Sequence, residues 1–417
     1  MLRRLQIQKF KSLGTREPLD VPLGRMTVVF GPNASGKSNL LEAIQALSRI
    51  GTSRTLSEAF SDPIRGYPIE YFALPEEGLP GFLNQKRAEL ALTGDIDTGK
   101  QQYRYEISVN IRPASAELSI LSENLIRCKG WKKTSNRPSI ETRDDEIVIR
   151  RKIDGTPKVR REKIGLKYAV LSDARFDRPD FLEIARVRGE MQKWRVYYLD
   201  PRTAMRRALP PAEVDDIGVL GDKLPQFLYR LHASKPKHFD AAKRTLRALV
   251  PGVEDLRVDL DQRRGTLDIM IRQDGVEYSS RIMSEGTLRV LGLCALAVNP
   301  WSGSLIAFEE PENGVHPRRL EQIVDLLLYL AFERDDSPQV IVTTHSPIFC
   351  DCLLSRMNTH PNAAEILFLH ARRRNGTSEI VRFEDQEELS RATIDAALDD
   401  SSREAPFQHL ALRGLCE

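Results

Sequence analysis

The apolar positions fall into distinct regimes along the chain. At the start, "LRRLQIQKF" alternates around Leu5 and Ile7, the period of a strand with one covered face. "RMTVVF" (25–30) is a continuous apolar run and predicts a buried strand. It enters a Gly-rich turn and then "SNLLEAIQALSRI", where Leu40, Leu41, Ile44 and Leu47 share one helical face. From 51 to about 200 the runs are short and alternating: "IEYFAL", "AELALTG", "QYRYEISVNI", "EIVIRRK" and "WRVYYL". Turn residues such as "DIDTGK" and "IDGTPK" separate them, which predicts antiparallel strands. No heptad pattern persists there, so no long coiled-coil arm is expected. From about 213 to 250 the period turns helical in "LPQFLYRLHA" and "FDAAKRTLRALV". "VEDLRVDLDQRRGTLDIMI" then reads as a hairpin and "TLRVLGLCALAV" as a buried helix. "LIAF" (305–308) and "VIVTT" (340–344) have the continuous apolar character of parallel strands covered on both faces. Between them "PRRLEQIVDLLLYLAF" is helical, with Pro317 in its first turn. "ILFLHARRRNGTSEIVRF" predicts a hairpin turning at Asn375–Gly376. The pattern describes an α/β protein with a mixed or parallel sheet core, an antiparallel β insert and a helical subdomain. Its expected segments are 1–50, 51–200, 201–280, 281–370 and 371–417.

Composition narrows the class. At 41% hydrophobic and 29% charged, the 417 residues have an ordinary soluble balance. The longest apolar run, Val290 to Val298, is far short of the ~20 residues that span a bilayer. The basic start "MLRRLQIQKF" has no apolar signal core behind it, so no leader is expected. Cys128, Cys294, Cys350, Cys352 and Cys416 are scattered and lack zinc spacing, which favours free thiols in a reducing cytoplasm. Net charge is only +3, yet 14 Lys/Arg face 6 Asp/Glu between Arg127 and Lys167. Such a segment can mark a contact with nucleic acid or an acidic partner, or it can be a solvated basic hairpin.

The chemistry begins at "GPNASGKS" (31–38). Gly31, Gly36, Lys37 and Ser38 fit the phosphate-loop pattern, set between a buried strand and an amphipathic helix as that loop requires. Backbone N–H groups and the helix N-terminus would point at phosphate. Residues Gly31, Pro32, Asn33, Ala34, Ser35, Gly36, Lys37, Ser38 and Asn39 are the expected nucleotide contacts. Lys37 is expected to reach the outer phosphates and Ser38 to ligate Mg²⁺. In "LIAFEEPENG", adjacent carboxylates end a buried strand, which is costly unless something positive is near. Strand alternation turns them to different targets, so Glu309 is assigned to the metal side and Glu310 to polarising the attacking water. His345 ends the next strand in "VIVTTHSP", at the sheet end where ligands bind. It is expected to donate a hydrogen bond to the γ-phosphate or to that water.

Phosphate loop, long insert, "MSEGTLRVLGL", "FEEPENGVHP" and "TTHSP", with the opening "LQIQKFKSLG", together resemble the ABC-type ATPase clan. The closer resemblance is to its RecF/OLD/SMC-like branch of AAA family ATPases. It covers 1–50 and about 280–350 well and the remainder loosely. The resemblance implies a P-loop NTPase fold of ABC type, with ATP and Mg²⁺ as cofactors. It also implies a homodimer closing head to tail around ATP, or higher multiples of that dimer. Ser284, Glu285 and Gly286 would then serve the partner's γ-phosphate, and Asn313 to His316 would line the seam. As a bare helix start, Ser284 is an N-cap. Three departures stand out: Glu309 replaces the usual Asp, Glu285 the usual Gly or Asp, and "YYLDPRT" offers Asp200 where relatives have a magnesium-sensing glutamine. OLD proteins carry a TOPRIM nuclease domain after the ATPase. The 47 residues after 370 are too few for one, so a separate effector, nuclease or toxin, is expected.

The resulting expectation is a cytoplasmic ATP-hydrolysing switch, not membrane-bound, that gates a DNA- or effector-linked process such as anti-phage defence. The alternative is a RecF-like DNA repair ATPase. Its footprint would use Lys132, Lys133, Arg150, Arg151, Lys152, Lys158, Arg160 and Arg161.

Overall fold

The computed structural model describes residues 1–61, 67–134, 137–153, 156–357, 359–383, 405 and 407–408. The side chains of 152–157, Cys416 and most of the tail after 383 lie outside the described residues, as does the centre of the "IDGTPK" turn. The chain forms two compact units. One comprises 1–24, 31–194 and 369–382. The other comprises 25–30, 195–368 and 383–417.

The first unit is built on a nine-stranded sheet. Its order is Thr156–Lys163, Glu146–Ile153, Ile140–Arg143, Glu117–Lys129, Gln102–Arg112, Ala88–Asp97, Leu2–Gln8 and Leu19–Pro22, with Lys132–Lys133 paired off Glu117–Lys129. Each of the pairings is antiparallel. The expected alternation is present: Tyr103, Tyr105, Ile107 and Val109 are buried on every second position. Helix Lys37–Ile50 buries Leu40, Leu41, Ile44 and Leu47, the stripe read from its period. Within strand Glu117–Lys129 of the sheet, Glu123 is fully buried. Its carboxylate accepts from the N–H groups of Val170 (2.7 Å) and Leu171 (2.8 Å) and from the Tyr105 hydroxyl (3.1 Å).

Two segments of this unit depart from the expected pattern. "IEYFAL" is not a strand: Pro68 starts a 3₁₀ turn, Pro68–Tyr71, and Tyr71 and Phe72 are both buried, which breaks alternation. Residues Leu182–Met191 form a helix that burial of Ile184, Val187 and Met191 holds in place. That i, i+3, i+7 spacing sits in a stretch otherwise read as strands.

The second unit is α/β, as expected. Strands Leu305–Glu309, Gln339–Thr344 and Met26–Phe30 run parallel, and Trp194–Tyr197 flanks Leu305–Glu309. "WRVYYL" therefore belongs to this sheet and not to the antiparallel one. Its Tyr197 is fully covered and stacks on Phe308 at 5.6 Å. A three-stranded antiparallel sheet (Val253–Asp261, Thr266–Gln273, Val276–Ser279) contains the expected hairpin. Helices Leu224–Ser234, Pro236–Leu249, Glu285–Ala297, Leu320–Leu328 and Pro347–Met357 complete the unit. Its core joins Val28, Leu288, Leu291, Phe308, Ile323 and Val342. Fully burying side chains of this size gains roughly 1.5–3 kcal/mol each. Among the described residues no helix is long and apolar enough to cross a membrane.

Candidate functional site

In the first unit, residues 31–38 form a tight loop whose two glycines are required by close approach. A Cβ at Gly31 would lie 2.1 Å from the Ala371 carbonyl oxygen. One at Gly36, where φ is +101°, would lie 2.6 Å from Ser378 Oγ. Lys37 is 5% exposed, and its Nζ donates to the carbonyl oxygens of Gly31 (2.7 Å) and Pro32 (2.8 Å). The ammonium is thus folded over the loop at the N-terminus of its helix, where the first-turn N–H groups have no intrahelical partner. Ser35 Oγ is buried without a hydrogen-bond partner among the described residues. A cradle of backbone donors, one buried cation and one unsatisfied hydroxyl fits an anion of phosphate size. Asn33 and Ala34 are exposed at the tip, and Ser38 is half-buried. Asn39 points elsewhere, donating to Ser12 Oγ at 2.8 Å and tying the helix to the "KFKSLG" segment.

In the second unit, the parallel strands bring their C-terminal ends together. Glu309 is in register with Thr343, and Thr344 with Phe30, the residue before the phosphate loop. Glu310 leaves the strand in the left-handed region, φ +46°. Such backbone costs a non-glycine residue about 1–2 kcal/mol. In exchange its carboxylate is held at both oxygens: Asn313 Nδ2 donates to Oε2 (2.6 Å) and His345 Nδ1 to Oε1 (2.9 Å). Since a carboxylate accepts, the imidazole proton sits on Nδ1. Glu310, Asn313 and His345, which the sequence places 35 residues apart at the extremes, are one cluster.

Behind them lies a residue that the sequence reading did not single out. Glu312 is 5% exposed, and Thr344 Oγ1 donates to its Oε1. Burial pushes its carboxyl up to about 7 against that hydrogen bond. Its Oε2, Thr343 Oγ1 and Arg289 Nε are buried without partners among the described residues. Burial also lowers the Arg289 guanidinium, while Glu312, Glu310, Glu285 and Asp200 oppose that shift. The only sequence cue to Glu312 was a third carboxylate in "EEPE", which reads equally well as a solvated loop.

Ser284 caps helix Glu285–Ala297, its Oγ accepting from Thr287 N at 3.1 Å and sharing a 2.8 Å bond with Thr287 Oγ1. Ser284 and Glu285 are exposed, and Glu285 pairs with Arg202 at 2.9 Å. Gly286 lies backbone to backbone against the loop after Glu310: a Cβ there would be 2.1 Å from the Gly314 carbonyl oxygen. Asp200 is committed locally. It accepts from the N–H groups of Arg202 (3.0 Å), Thr203 (3.1 Å) and Ala204 (3.3 Å) and from the Thr203 hydroxyl. Partial burial opposes its ionisation, but these bonds outweigh it and hold the carboxyl below its ordinary range.

The basic segment, in the first unit, is largely engaged with its own neighbours. Arg150 bonds Glu141 (2.5 Å) and the Pro138 carbonyl (2.6 Å), and Arg161 bonds Glu146 (2.9 Å). Arg160 bonds Glu162 (2.7 Å) and lies 5.6 Å over Phe176, while Arg151 lies 5.9 Å over Phe181. Lys132, Lys133 and Lys158 are exposed, and the Lys152 side chain is outside the described residues. Cys128, Cys294 and Cys350 are buried and Cys352 is half-buried. Among the described residues no group of three or more His, Cys, Asp or Glu side chains is placed to hold a metal.

Comparison with known proteins bears on the family and the fold. A 44-residue segment is 48% identical to the OLD nuclease of Thermus scotoductus (strain ATCC 700910 / SA-01), covering 11% of this chain and 8% of that protein. A 66-residue segment is 47% identical to the chromosome partition protein Smc of Gloeobacter violaceus (strain ATCC 29082 / PCC 7421), covering 15% and 5%. The chain thus matches less than a tenth of the length of these curated relatives. The Smc head in its complex with the C-winged helix domain of ScpA shares the fold, with TM-score 0.52 over 91% of this chain and 97% of that one at 15% identity. The family model described as "AAA domain, putative AbiEii toxin, Type IV TA system" matches residues 26–351, more than three quarters of the 417 residues. The chain belongs to that family, an AAA ATPase of the ABC type related to RecF, OLD and SMC proteins.

Proposed function

We propose that the chain binds and hydrolyses ATP, and that hydrolysis resets a head-to-tail dimer acting as a switch for a separate effector. The observation that carries this reading is the grip on Glu310. Two donors, Asn313 and His345, fix the plane of its carboxylate at the end of a parallel strand, and a costly backbone conformation is kept to hold it there. A carboxylate so oriented can accept a proton from water as the water attacks a phosphorus atom. Residues Gly31 to Ser38 would enclose the phosphates, with Lys37 exchanging its carbonyl partners for phosphate oxygens. Mg²⁺, when bound, would neutralise charge developing on the outer phosphates. Ser38, by its place in the phosphate loop, is the residue proposed to hold it, in keeping with an ion that takes few protein ligands and keeps several waters. His345, through Nδ1, orients Glu310 and keeps its ring at the strand end.

The dimer reading draws on Ser284 and Glu285, exposed at a helix N-terminus where an anion held by a second copy can approach. The family's description as a putative toxin of a type IV TA system and the partial similarity to an OLD nuclease support a switch working with a toxin or nuclease, for which anti-phage defence is the proposed setting. A DNA footprint on the basic segment loses support, because four of its arginines already have carboxylate or aromatic partners.

The test is Glu310→Gln with ATP and Mg²⁺, followed by native mass measurement. A stable species of twice the 47.3 kDa chain, or a multiple of it, is expected, with ATP retained. A variant that binds ATP and stays at the mass of one chain would overturn the dimer, and one that hydrolyses ATP at the wild-type rate would overturn the role of Glu310.

A further inference from the structure

The segment 280–284, which leads into the exposed cap of helix Glu285–Ala297, has little structure of its own. Arg281, Ile282 and Ser284 are exposed, Ile282 to 70%. Ser280 is tied back by its N–H to Ile269 O (2.8 Å) and its hydroxyl to Asp268 Oδ1 (3.0 Å), and Met283 is buried, but the carbonyls of the segment are held by a single guanidinium from another part of the second unit. Arg206 Nη1 donates to the carbonyl oxygens of Ser280 (3.0 Å) and Arg281 (2.6 Å), and Nη2 to that of Met283 (2.6 Å). Its Nε donates to Pro201 O at 2.7 Å. One side chain therefore satisfies three carbonyls in the four residues before Ser284 and anchors itself through a fourth. Only a planar fork of five donors does this, and a lysine ammonium cannot span the same set.

The turn bearing Arg206 is itself rigid. Asp200 collects the N–H groups of residues 202 to 204 at its start. The neighbouring Met205 is fully buried, and its methyl would lie 3.2 Å from a Cβ at Gly292, two turns into the same helix. The turn thus grips the helix at its entry and along its flank.

We infer that Arg206 is a positioning residue that sets the exposed Ser284–Gly286 segment for the ATP held by a second copy of the chain. This rests on the proposed dimer. It gives the turn after "YYLD" a purpose that a metal-sensing side chain would otherwise supply: Asp200 builds the turn, and Arg206 carries its position to the next subunit's nucleotide.

The test uses mixing. Arg206→Met should lower ATP turnover at least about tenfold, the order lost when a positioning contact goes. ATP affinity should be unchanged, because its own phosphate loop is intact. Arg206→Lys should recover only part of the rate. Lys37→Ala alone should also be inactive. Combined in equal amounts, Arg206→Met and Lys37→Ala should regain about a quarter of the wild-type rate, since random exchange makes half the dimers mixed and each mixed dimer has one complete site. Ser284→Arg mixed with Lys37→Ala is the control. If the control recovers activity and the Arg206→Met mixture does not, Arg206 acts within its own subunit or on folding alone, and the inference is wrong. If neither recovers, the head-to-tail site itself falls, and the inference with it.

Discussion

Two helical glycines should respond to the same substitution with opposite sign. Gly189 lies in helix Leu182–Met191, and an added Cβ would meet no atom within 4 Å. Gly286 lies in the first turn of helix Glu285–Ala297, with the Gly314 carbonyl oxygen 2.1 Å from the same added atom. Where space allows, Gly→Ala removes unfolded-chain entropy and gains about 0.4–1 kcal/mol. At Gly286 that gain is opposed by overpacking, typically about 1–3 kcal/mol, because a carbonyl in a backbone loop must retreat by more than about 1 Å to reach ordinary contact. The net expectation is about +0.7 kcal/mol for Gly189→Ala and about −1.5 kcal/mol for Gly286→Ala. For units of about 200 residues, 1 kcal/mol moves a melting midpoint by about 2–4 °C. Scanning calorimetry of the two variants should therefore show a rise of about 1–3 °C for Gly189→Ala and a fall of about 3–6 °C for Gly286→Ala. ATP turnover should fall only in the second, since the loop displaced also carries Asn313. If Gly286→Ala melts at or above the wild-type midpoint, the close packing of the two motifs is refuted.

The remaining expectations concern buried and clustered polar groups. Burial raises the Glu123 carboxyl to about 7, against the bonds from Leu171, Val170 and Tyr105. The folded chain then holds a proton that the unfolded chain loses above about 4.5, so this contribution is complete below about pH 4.5 and is lost as pH rises toward 7. Measured as melting midpoint against pH, wild type should lose stability relative to Glu123→Gln across that window, by up to about 3 kcal/mol; parallel curves would contradict the assignment. Asn313→Ala removes one of the two donors that orient Glu310, and steady-state kinetics should show turnover down about tenfold with KM nearly unchanged. An equal loss in ATP affinity would place Asn313 in binding and not in orientation.

The parts of this molecule that repeat a period were legible in advance. The stripe of Leu40, Leu41, Ile44 and Leu47, the continuous runs at 305–308 and 340–344 and the Asn375–Gly376 turn, across which Arg374 pairs with Thr377 in an antiparallel hairpin, each carry their geometry in local spacing. "WRVYYL" was legible as a strand but not as to its sheet, because alternation fixes a face and not a partner. The helix Leu182–Met191 was hidden among charged residues, and only three buried apolar side chains disclose its face. Within the candidate site, Glu310 and His345 stood at strand ends and could be read there. Arg206 could not, since its acceptors are main-chain carbonyls, which leave no trace in residue type. Glu312 was obscured for the opposite reason: its residue type suggests solvent, and only the fold reveals that it is buried.

The left-handed backbone at Glu310 has a consequence for how this protein tolerates change. Glycine or asparagine would relieve that strain, and selection for heat resistance alone would be drawn to either. Both would discard the carboxylate proposed to do the chemistry. Robustness and turnover thus pull against each other at a single codon, and a hardened variant of this chain is the place to look for one that has stopped working.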